Sequence, residues 1–375
     1  MERTTPISHP MRIFVYLIGL ATLCPAIIGF TPFVIIGRSP LHGHRIRTCT
    51  VLAAPSEPPT TAVVTPLGSN VDSTLQSDDN STKQRRRVSV LLCPAQFCVP
   101  DDYSDFLDRL SLLSQTDPSM SEIGTCRVAP LPRTEWIKVA KQLPTQEFFE
   151  ARLNVPKTLD WYFQAIEKGL AEIFTEEGPD ANICFVGHSI GGWVARAYLG
   201  GMSESSSSVS RLANQRCTSL ITLGTPHVAP ETALVDQTRG LIRSIDSQQE
   251  CSSQALADRG IAVTCVCSSS MKANFFSVNV EDIVAAASYL PLLGRLDASV
   301  RGDGIVPLDL AFLEEPARRV IIDQCPLTNE KVRHSHVVPT PWNLWDGYAS
   351  SIRLPSSFPS YTSDGVVPMW AKYIL

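Results

Sequence analysis

Asn182-Ile183-Cys184-Phe185-Val186-Gly187-His188-Ser189-Ile190-Gly191-Gly192 is the stretch on which the reading of this chain turns. Its first five residues are mostly apolar and short, as expected of a strand buried on both faces. Gly187 to Gly191 then match G-x-S-x-G, and residues 190–199 read as a helix. Strand, sharp turn and helix in that order lift a serine oxygen above the edge of a sheet on a strained backbone. The glycines leave room where larger side chains would strike the adjoining helix and strand. The N–H of Ile190, at a helix start, is aimed to donate to an oxyanion forming at Ser189. A glycine turn with an incidental serine is the plain alternative, and the strand before and helix after it favour the nucleophile. Gly187, Gly191 and Gly192 do not make G-x-G-x-x-G, which excludes a dinucleotide fingerprint.

Outward from the motif, strands and helices alternate. Val88-Ser89-Val90-Leu91-Leu92-Cys93, ended by Pro94, reads as a first strand. Residues 104–113 read as a helix with Phe106, Leu107, Leu110 and Leu113 on one side, and Arg127-Val128-Ala129 as a second strand. Leu159, Phe163, Ile166, Leu170 and Ile173 recur at helical spacing. Residues 219–223, 262–266 and 319–322 read as later strands. The pattern predicts an α/β protein of the α/β-hydrolase type, with a mostly parallel central sheet, helices on both faces and a lid-like insertion. No domain-sized repeat is present.

A serine nucleophile needs a base, and the base an acid to orient it. In this fold the chain order is serine, acid, histidine. Of the seven histidines, His9, His42 and His44 lie in the leader and His188 lies inside the turn, leaving His227, His334 and His336. His334 is favoured as base because it follows the last core strand in Lys331-Val332-Arg333-His334-Ser335-His336, with His336 the rival. Asp303 is favoured as acid. Gly302-Asp303-Gly304 makes a tight turn that presents a carboxylate, and it falls between Ser189 and His334. A second copy of the pattern, around Asp364, comes after the histidine and is out of order. The second oxyanion donor is expected in Pro94-Ala95-Gln96-Phe97. Pro94 has no N–H, and Gln96 is the choice. No metal site is expected, since the His334–His336 pair lacks an acidic or cysteine partner at ligand spacing. No cofactor is expected.

The hydrophobic fraction of 44% and charged fraction of 18% are those of a globular chain with a sizeable core. Residues 1–87 carry nine Lys/Arg against five Asp/Glu, which leaves 23 against 32 for the remainder, a basic leader on an acidic body. That balance argues against nucleic acid as a partner. The eleven cysteines show no disulfide framework, and a single bridge from Cys93 to Cys98 or Cys126 stays open. Residues 1–37 read as a signal peptide or a retained membrane anchor, with no charge between Ile13 and Gly37. Residues 38–86, rich in Ser, Thr and Pro, read as a disordered, transit-like linker, and residues 87–375 as the folded domain. The leader resembles the two-part presequence of algae with secondary plastids, through Ile28-Gly29-Phe30-Thr31-Pro32. It implies a plastid; an endomembrane, anchored or secreted location is the alternative.

Taken together, Leu92-Cys93-Pro94-Ala95-Gln96-Phe97, Leu159-Asp160-Trp161-Tyr162, Gly187 through Ala195, Leu223-Gly224-Thr225-Pro226-His227, Val235-Asp236-Gln237-Thr238-Arg239-Gly240, Gly302 through Pro307 and Arg333-His334-Ser335 resemble the lipase-like α/β-hydrolases of plants and algae, related to the GPI inositol-deacylase group. The resemblance implies a serine carboxylester hydrolase acting on acyl lipids through an acyl-enzyme, with Ser189, Asp303 and His334 as its triad and His227 in support. Arg333 and His336 depart from the aromatic residue and proline usual in that group around the base, and residues 338–375, with Trp342, Trp345 and Trp370, diverge. Within residues 228–300, Phe275, Phe276, Tyr289, Leu290, Pro291, Leu292 and Leu293 supply the apolar surface either of a lid facing lipid or of a packed insertion. Residues 203–210 read as a mobile polar loop. The expected partners are a lipid or ester substrate and a membrane surface. Acyl transfer to an alcohol, or ligand binding without catalysis, are the alternatives.

Overall fold

The computed structural model describes residues 85–338 and 351–375, apart from 206, 235 and 296. The leader, most of the linker, Trp342 and Trp345 lie outside the described residues. Six parallel strands form the central sheet: β1 (Arg87–Cys93), β2 (Glu122–Val128), β3 (Asn182–His188), β4 (Cys217–Leu223), β5 (Ala262–Ser268) and β8 (Arg318–Ile322). Their order is β2-β1-β3-β4-β5-β8. The chain leaves β1 toward one edge to form β2 and returns past it to form β3. The crevice beyond the carboxyl ends of β1 and β3 is therefore the switch point at which open α/β sheets place their sites.

Side chains alternate between the two faces of each strand, and that period of two builds two cores. Leu91, Ile183, Phe185, Leu220 and Val263 enter one core with helices α2 (Val155–Glu177) and α3 (Ile190–Leu199). Val90, Leu92, Cys184, Val186, Ile221 and Val266 enter the other with α1 (Ser104–Thr116). Helix α2 follows the predicted spacing, with Leu159, Phe163, Ile166, Leu170 and Ile173 all buried, and the side chain of Asn154 caps its start through the N–H of Lys157.

Two expectations change in the structure, and the tail finds its place. The second strand runs over Glu122–Val128 rather than beginning at Arg127. It lies at the sheet edge and is only partly buried, so its sequence carries no apolar run. The polar run 203–210 is not all loop, because Ser207 accepts from the N–H of Ser210 and caps helix α4 (Ser208–Arg216). The divergent tail is part of the core: Trp370 is fully buried, packs on Phe106 with ring centroids 5.8 Å apart, and donates to the carbonyl of Tyr361. All nine cysteines of the described residues are free, so no bridge joins Cys93, Cys98 and Cys126.

Residues 228–300 also divide. Strand β5 and the helices Leu241–Asp246 and Ser253–Asp258 belong to the main body. Residues 269–302 form a separate excursion between β5 and the Asp303 turn. It consists of a short antiparallel ribbon, β6 (Met271–Lys272) with β7 (Arg301–Gly302), and helix α5 (Val280–Leu293), which share a small apolar core.

At the start of α3 the chain runs against β1. A Cβ on Gly191 would sit 2.1 Å from the carbonyl oxygen of Cys93, a contact with backbone that cannot swing aside. Gly191→Ala is expected to cost about 1–3 kcal/mol by overpacking. Chemical denaturation of the variant beside wild type checks this, and unchanged stability would mean the contact relaxes.

Candidate active site

Ser189 stands between β3 and α3 with φ 55° and ψ −123°, in the left-handed half of backbone space where a non-glycine residue is strained. The strain is held by three bonds. The Ser189 N–H donates to Leu223 at 2.9 Å, and the Ser189 carbonyl accepts from Gly192 at 3.0 Å and from the Thr225 hydroxyl at 2.8 Å. The side chain sits at the carboxyl end of β3, at the switch point, and the residue is only 4% exposed.

The sequence-predicted acid and base meet beside it. His334 Nδ1 lies 2.8 Å from Asp303 Oδ2, and the His334 N–H donates to the Asp303 carbonyl at 3.0 Å. Asp303 is 1% exposed, yet its carboxylate accepts four hydrogen bonds. The N–H groups of Ile305 and Val306 donate to Oδ1 at 3.0 and 2.8 Å, and Tyr361 joins His334 on Oδ2 at 2.7 Å. Each oxygen of this buried carboxyl thus meets two donors, so its acceptor capacity is satisfied without water. Strand β4 ends beneath the pair at Gly224 (φ 55°), where a Cβ would lie 2.5 Å from Asp303 Oδ2 and 2.9 Å from His334 Nδ1. Serine, acid and histidine thus follow β3, β5 and β8 in chain order around a parallel sheet. This is the α/β-hydrolase fold.

The rivals of His334 and Asp303 have other work. His336 Nε2 donates to the Asp102 carbonyl at 2.7 Å, and its buried Nδ1 has no partner. His227 is wholly buried, with Nε2 3.0 Å from the Thr222 hydroxyl and Nδ1 3.5 Å from Arg196. Asp364, side chain 68% exposed, pairs with Arg109 on the surface. No hydrogen bond joins Ser189 Oγ to His334 Nε2; unliganded sites often close that bond only around substrate. Among the described residues, no three His, Cys, Asp or Glu side chains are grouped to hold a metal ion.

Sequence reading missed the side chains that hold this arrangement. Tyr361 comes from the divergent tail. Burial, and after it the Asp303 carboxylate, pushes its hydroxyl far above the ordinary range, so it stays protonated and donates. Tyr103 accepts from the Ala95 N–H at 2.9 Å and meets His188 Nδ1 at 2.8 Å, while His188 Nε2 reaches the His334 carbonyl at 2.8 Å. The His188 imidazole ties the loop carrying His334 to the loop after β1 through Tyr103. That loop is held residue by residue. Tyr162 donates to the Pro94 carbonyl at 2.6 Å, and fully buried Arg133 donates to the Phe97 carbonyl at 3.0 Å. The Ala95 carbonyl accepts from Cys98 at 3.0 Å, and Phe97 takes φ 61° to close the turn. The N–H of Gln96 has no partner in this turn.

Residues 156–265 match the family described as "Putative serine esterase (DUF676)", a span that includes Ser189 but neither Asp303 nor His334. Comparison with curated protein sequences gives no match. Among solved structures, an acetylxylan esterase aligns at 12% identity over 38% of this chain and 65% of that one, just under two thirds, with TM-score 0.25. The thioesterase RedJ of the prodiginine pathway in Streptomyces coelicolor aligns at 10% identity over 64% of this chain and 76% of that one, with TM-score 0.26. Overlaps this low carry no weight beside the strand order and the serine turn.

Two outcomes follow from these contacts. Tyr361→Phe removes one donor from a buried anion and is expected to cost about 1–3 kcal/mol of folding stability. A double-mutant cycle with Asp303→Asn isolates that bond, and a coupling near zero would show that the two groups do not interact. Burial lowers the pKa of His188, His227 and His336 below 6.5 in the fold. The unfolded chain takes up these protons near pH 6.5 while the folded chain does not. Stability is therefore complete above that pH and falls below it, by up to about 4 kcal/mol per pH unit if all three stay neutral. Denaturation at pH 7.5 and 5.5 measures the fall, and His227→Gln should reduce it by about a third; a pH-independent midpoint would refute the assignment.

Proposed function

We propose that this protein is a serine carboxylester hydrolase, a lipase-like enzyme that cleaves acyl lipids through an acyl-enzyme. The observation that carries the reading is the pair His334 Nδ1 to Asp303 Oδ2 at 2.8 Å, built on a four-bonded buried carboxylate beside a strained serine. The likeness of residues 156–265 to serine esterases agrees with it.

In this mechanism Asp303, itself held by Tyr361, keeps the His334 proton on Nδ1 and leaves the Nε2 lone pair to take the serine proton. Nε2 accepts the serine proton as Oγ attacks the ester carbonyl. Charge then develops on the carbonyl oxygen, where the N–H groups of Gln96 and Ile190 stabilise it. Both belong to turns already held in place, so little reorganisation is needed during reaction. Imidazolium at His334 returns its proton to the leaving alcohol, and water repeats the sequence on the acyl-enzyme. His188, neutral and bonded to the His334 carbonyl, holds the ring without competing for the proton.

The closer kinship with plant and algal lipase-like proteins of the GPI inositol-deacylase group belongs to this proposal, on the stretches from Leu92 to Ser335. So does delivery to a plastid by the leader, which rests on the composition of residues 1–82.

The test is a fluorophosphonate probe on the full-length protein, with the labelled residue mapped by mass spectrometry. Labelling should fall on Ser189, disappear in Ser189→Ala, and slow at least roughly a thousandfold in His334→Ala. Labelling elsewhere, or none on folded protein with detergent present, would replace the hydrolase reading with that of a ligand-binding protein.

A further inference from the structure

Helix α5 and the ribbon β6–β7 carry, at their tip, a loop that the chemistry at Ser189 does not use. Residues 273–280, Ala-Asn-Phe-Phe-Ser-Val-Asn-Val, contain no charge. Phe276 is 98% exposed, Val278 fully exposed and Val280 58% exposed, with Phe275 beside them at 36%. A globular surface shows single apolar residues freely, but four within six residues on one projecting loop mark a contact surface. The loop is not loose. Asn274 donates from its N–H to the Asp282 carbonyl across the neck, the Ser277 hydroxyl holds the Asp282 carboxylate at 2.8 Å, and Asn279 caps α5.

Immediately below the neck, Lys272 and Arg301 lie directly opposite each other on the two strands of the ribbon. Both are exposed, and among the described residues neither forms an ion pair. Like charges at such positions repel unless an anion lies between or above them. Acids around the ribbon have other partners. Glu281 pairs with Arg333 at 2.6 Å, Asp282 with Lys331 at 3.3 Å, and Asp309 with Arg295 at 3.2 Å; Asp297 turns onto Ser299, and Asp323 accepts the Ser269 hydroxyl, while Arg301 donates to the Ser269 carbonyl at 3.4 Å. On a body whose overall balance is acidic, this leaves an unopposed pair of cations at the root of an apolar prong.

We propose that this tip is a docking surface for a lipid bilayer carrying anionic headgroups. Phe275, Phe276, Val278 and Val280 enter the interface, and Lys272 and Arg301 meet the phosphates. Apolar prongs above a basic collar fit a membrane surface, whose charge lies outside its hydrocarbon, better than a protein groove. The ribbon leads straight into Gly302 and the Asp303 turn, where Tyr289 of α5 accepts the Gly304 N–H at 2.8 Å. Arg333, next to the base, holds the first turn of α5 through Glu281. Docking would therefore set the active site at a defined height above the lipid. The inference takes its purpose from the lipid-ester reading, but docking is measured without turnover.

The test uses the full-length Ser189→Ala protein with Val278→Cys carrying an environment-sensitive dye, mixed with vesicles of phosphatidylcholine alone or with phosphatidylglycerol. The expected result is a blue shift on vesicles, with binding roughly tenfold or more tighter on the anionic ones. That preference should disappear in Lys272→Gln/Arg301→Gln. Phe276→Ser with Val280→Ser, in the labelled protein, should weaken the shift roughly tenfold or more. A dye that stays unshifted while protein sediments with vesicles would mean that another segment, such as the leader, holds the membrane, and would overturn the proposal. So would a shift indifferent to lipid charge and to the Lys272 and Arg301 substitutions. Fluorophosphonate labelling of the same tip variants with Ser189 restored separates the two readings: full labelling without docking leaves the hydrolase standing, and docking without labelling leaves the surface standing.

Discussion

A carboxylate removed from water must be surrounded by donors or lose its charge, and the site of this protein is organised around meeting that demand at Asp303. Two of its four bonds come from its own turn, at Ile305 and Val306, and so depend only on local sequence. The other two come from His334, 31 residues on, and Tyr361, 58 residues on. One buried charge therefore draws together the excursion after β5, the loop after β8 and the tail. Tyr361 in turn accepts from the Ser268 N–H at the end of β5 and offers its carbonyl to Trp370, so the anion is tied back into the sheet and the second core.

The opposite wall is built on the same economy. The strained turn at Ser189 needs Gly191 against β1, where a Cβ would meet the backbone of Cys93 and Pro94 at the start of the loop that holds Gln96. Tyr162, Tyr103 and Arg133 occupy the other polar groups of this loop. The chain Ala95, Tyr103, His188, His334 then connects the oxyanion side to the base side through neutral groups. Burial keeps His188 neutral in this place, with its ring centroid 5.3 Å from that of His334.

How much of this was legible depended on range. Glycine-serine turn, buried strands and the long amphipathic helix all write their conformation into neighbouring residues, and they stand where periodicity and motif put them. Strand β2 escaped because an edge strand need not be apolar. The helix capped by Ser207 hid within a serine run that composition reads as loop. Ser189, Asp303 and His334 are candidates because this fold imposes their order, and Gln96 and Ile190 because backbone donors are expected from position alone. Tyr103, Arg133 and Tyr361 carry no local mark. A buried tyrosine reads as core until the atom its hydroxyl meets is known.

The sequence by itself determined the α/β alternation, the serine turn and the candidate acid and base, since each follows from hydrogen bonds and sterics within a few residues. Only the tertiary structure shows that the imidazole of His334, and not that of His336, reaches Asp303. It also brought the tail into the site and separated the excursion 269–302 from β5. These outcomes rest on contacts between segments tens to hundreds of residues apart. Such contacts depend on where the sheet places strand ends in space, which no local pattern of residues records.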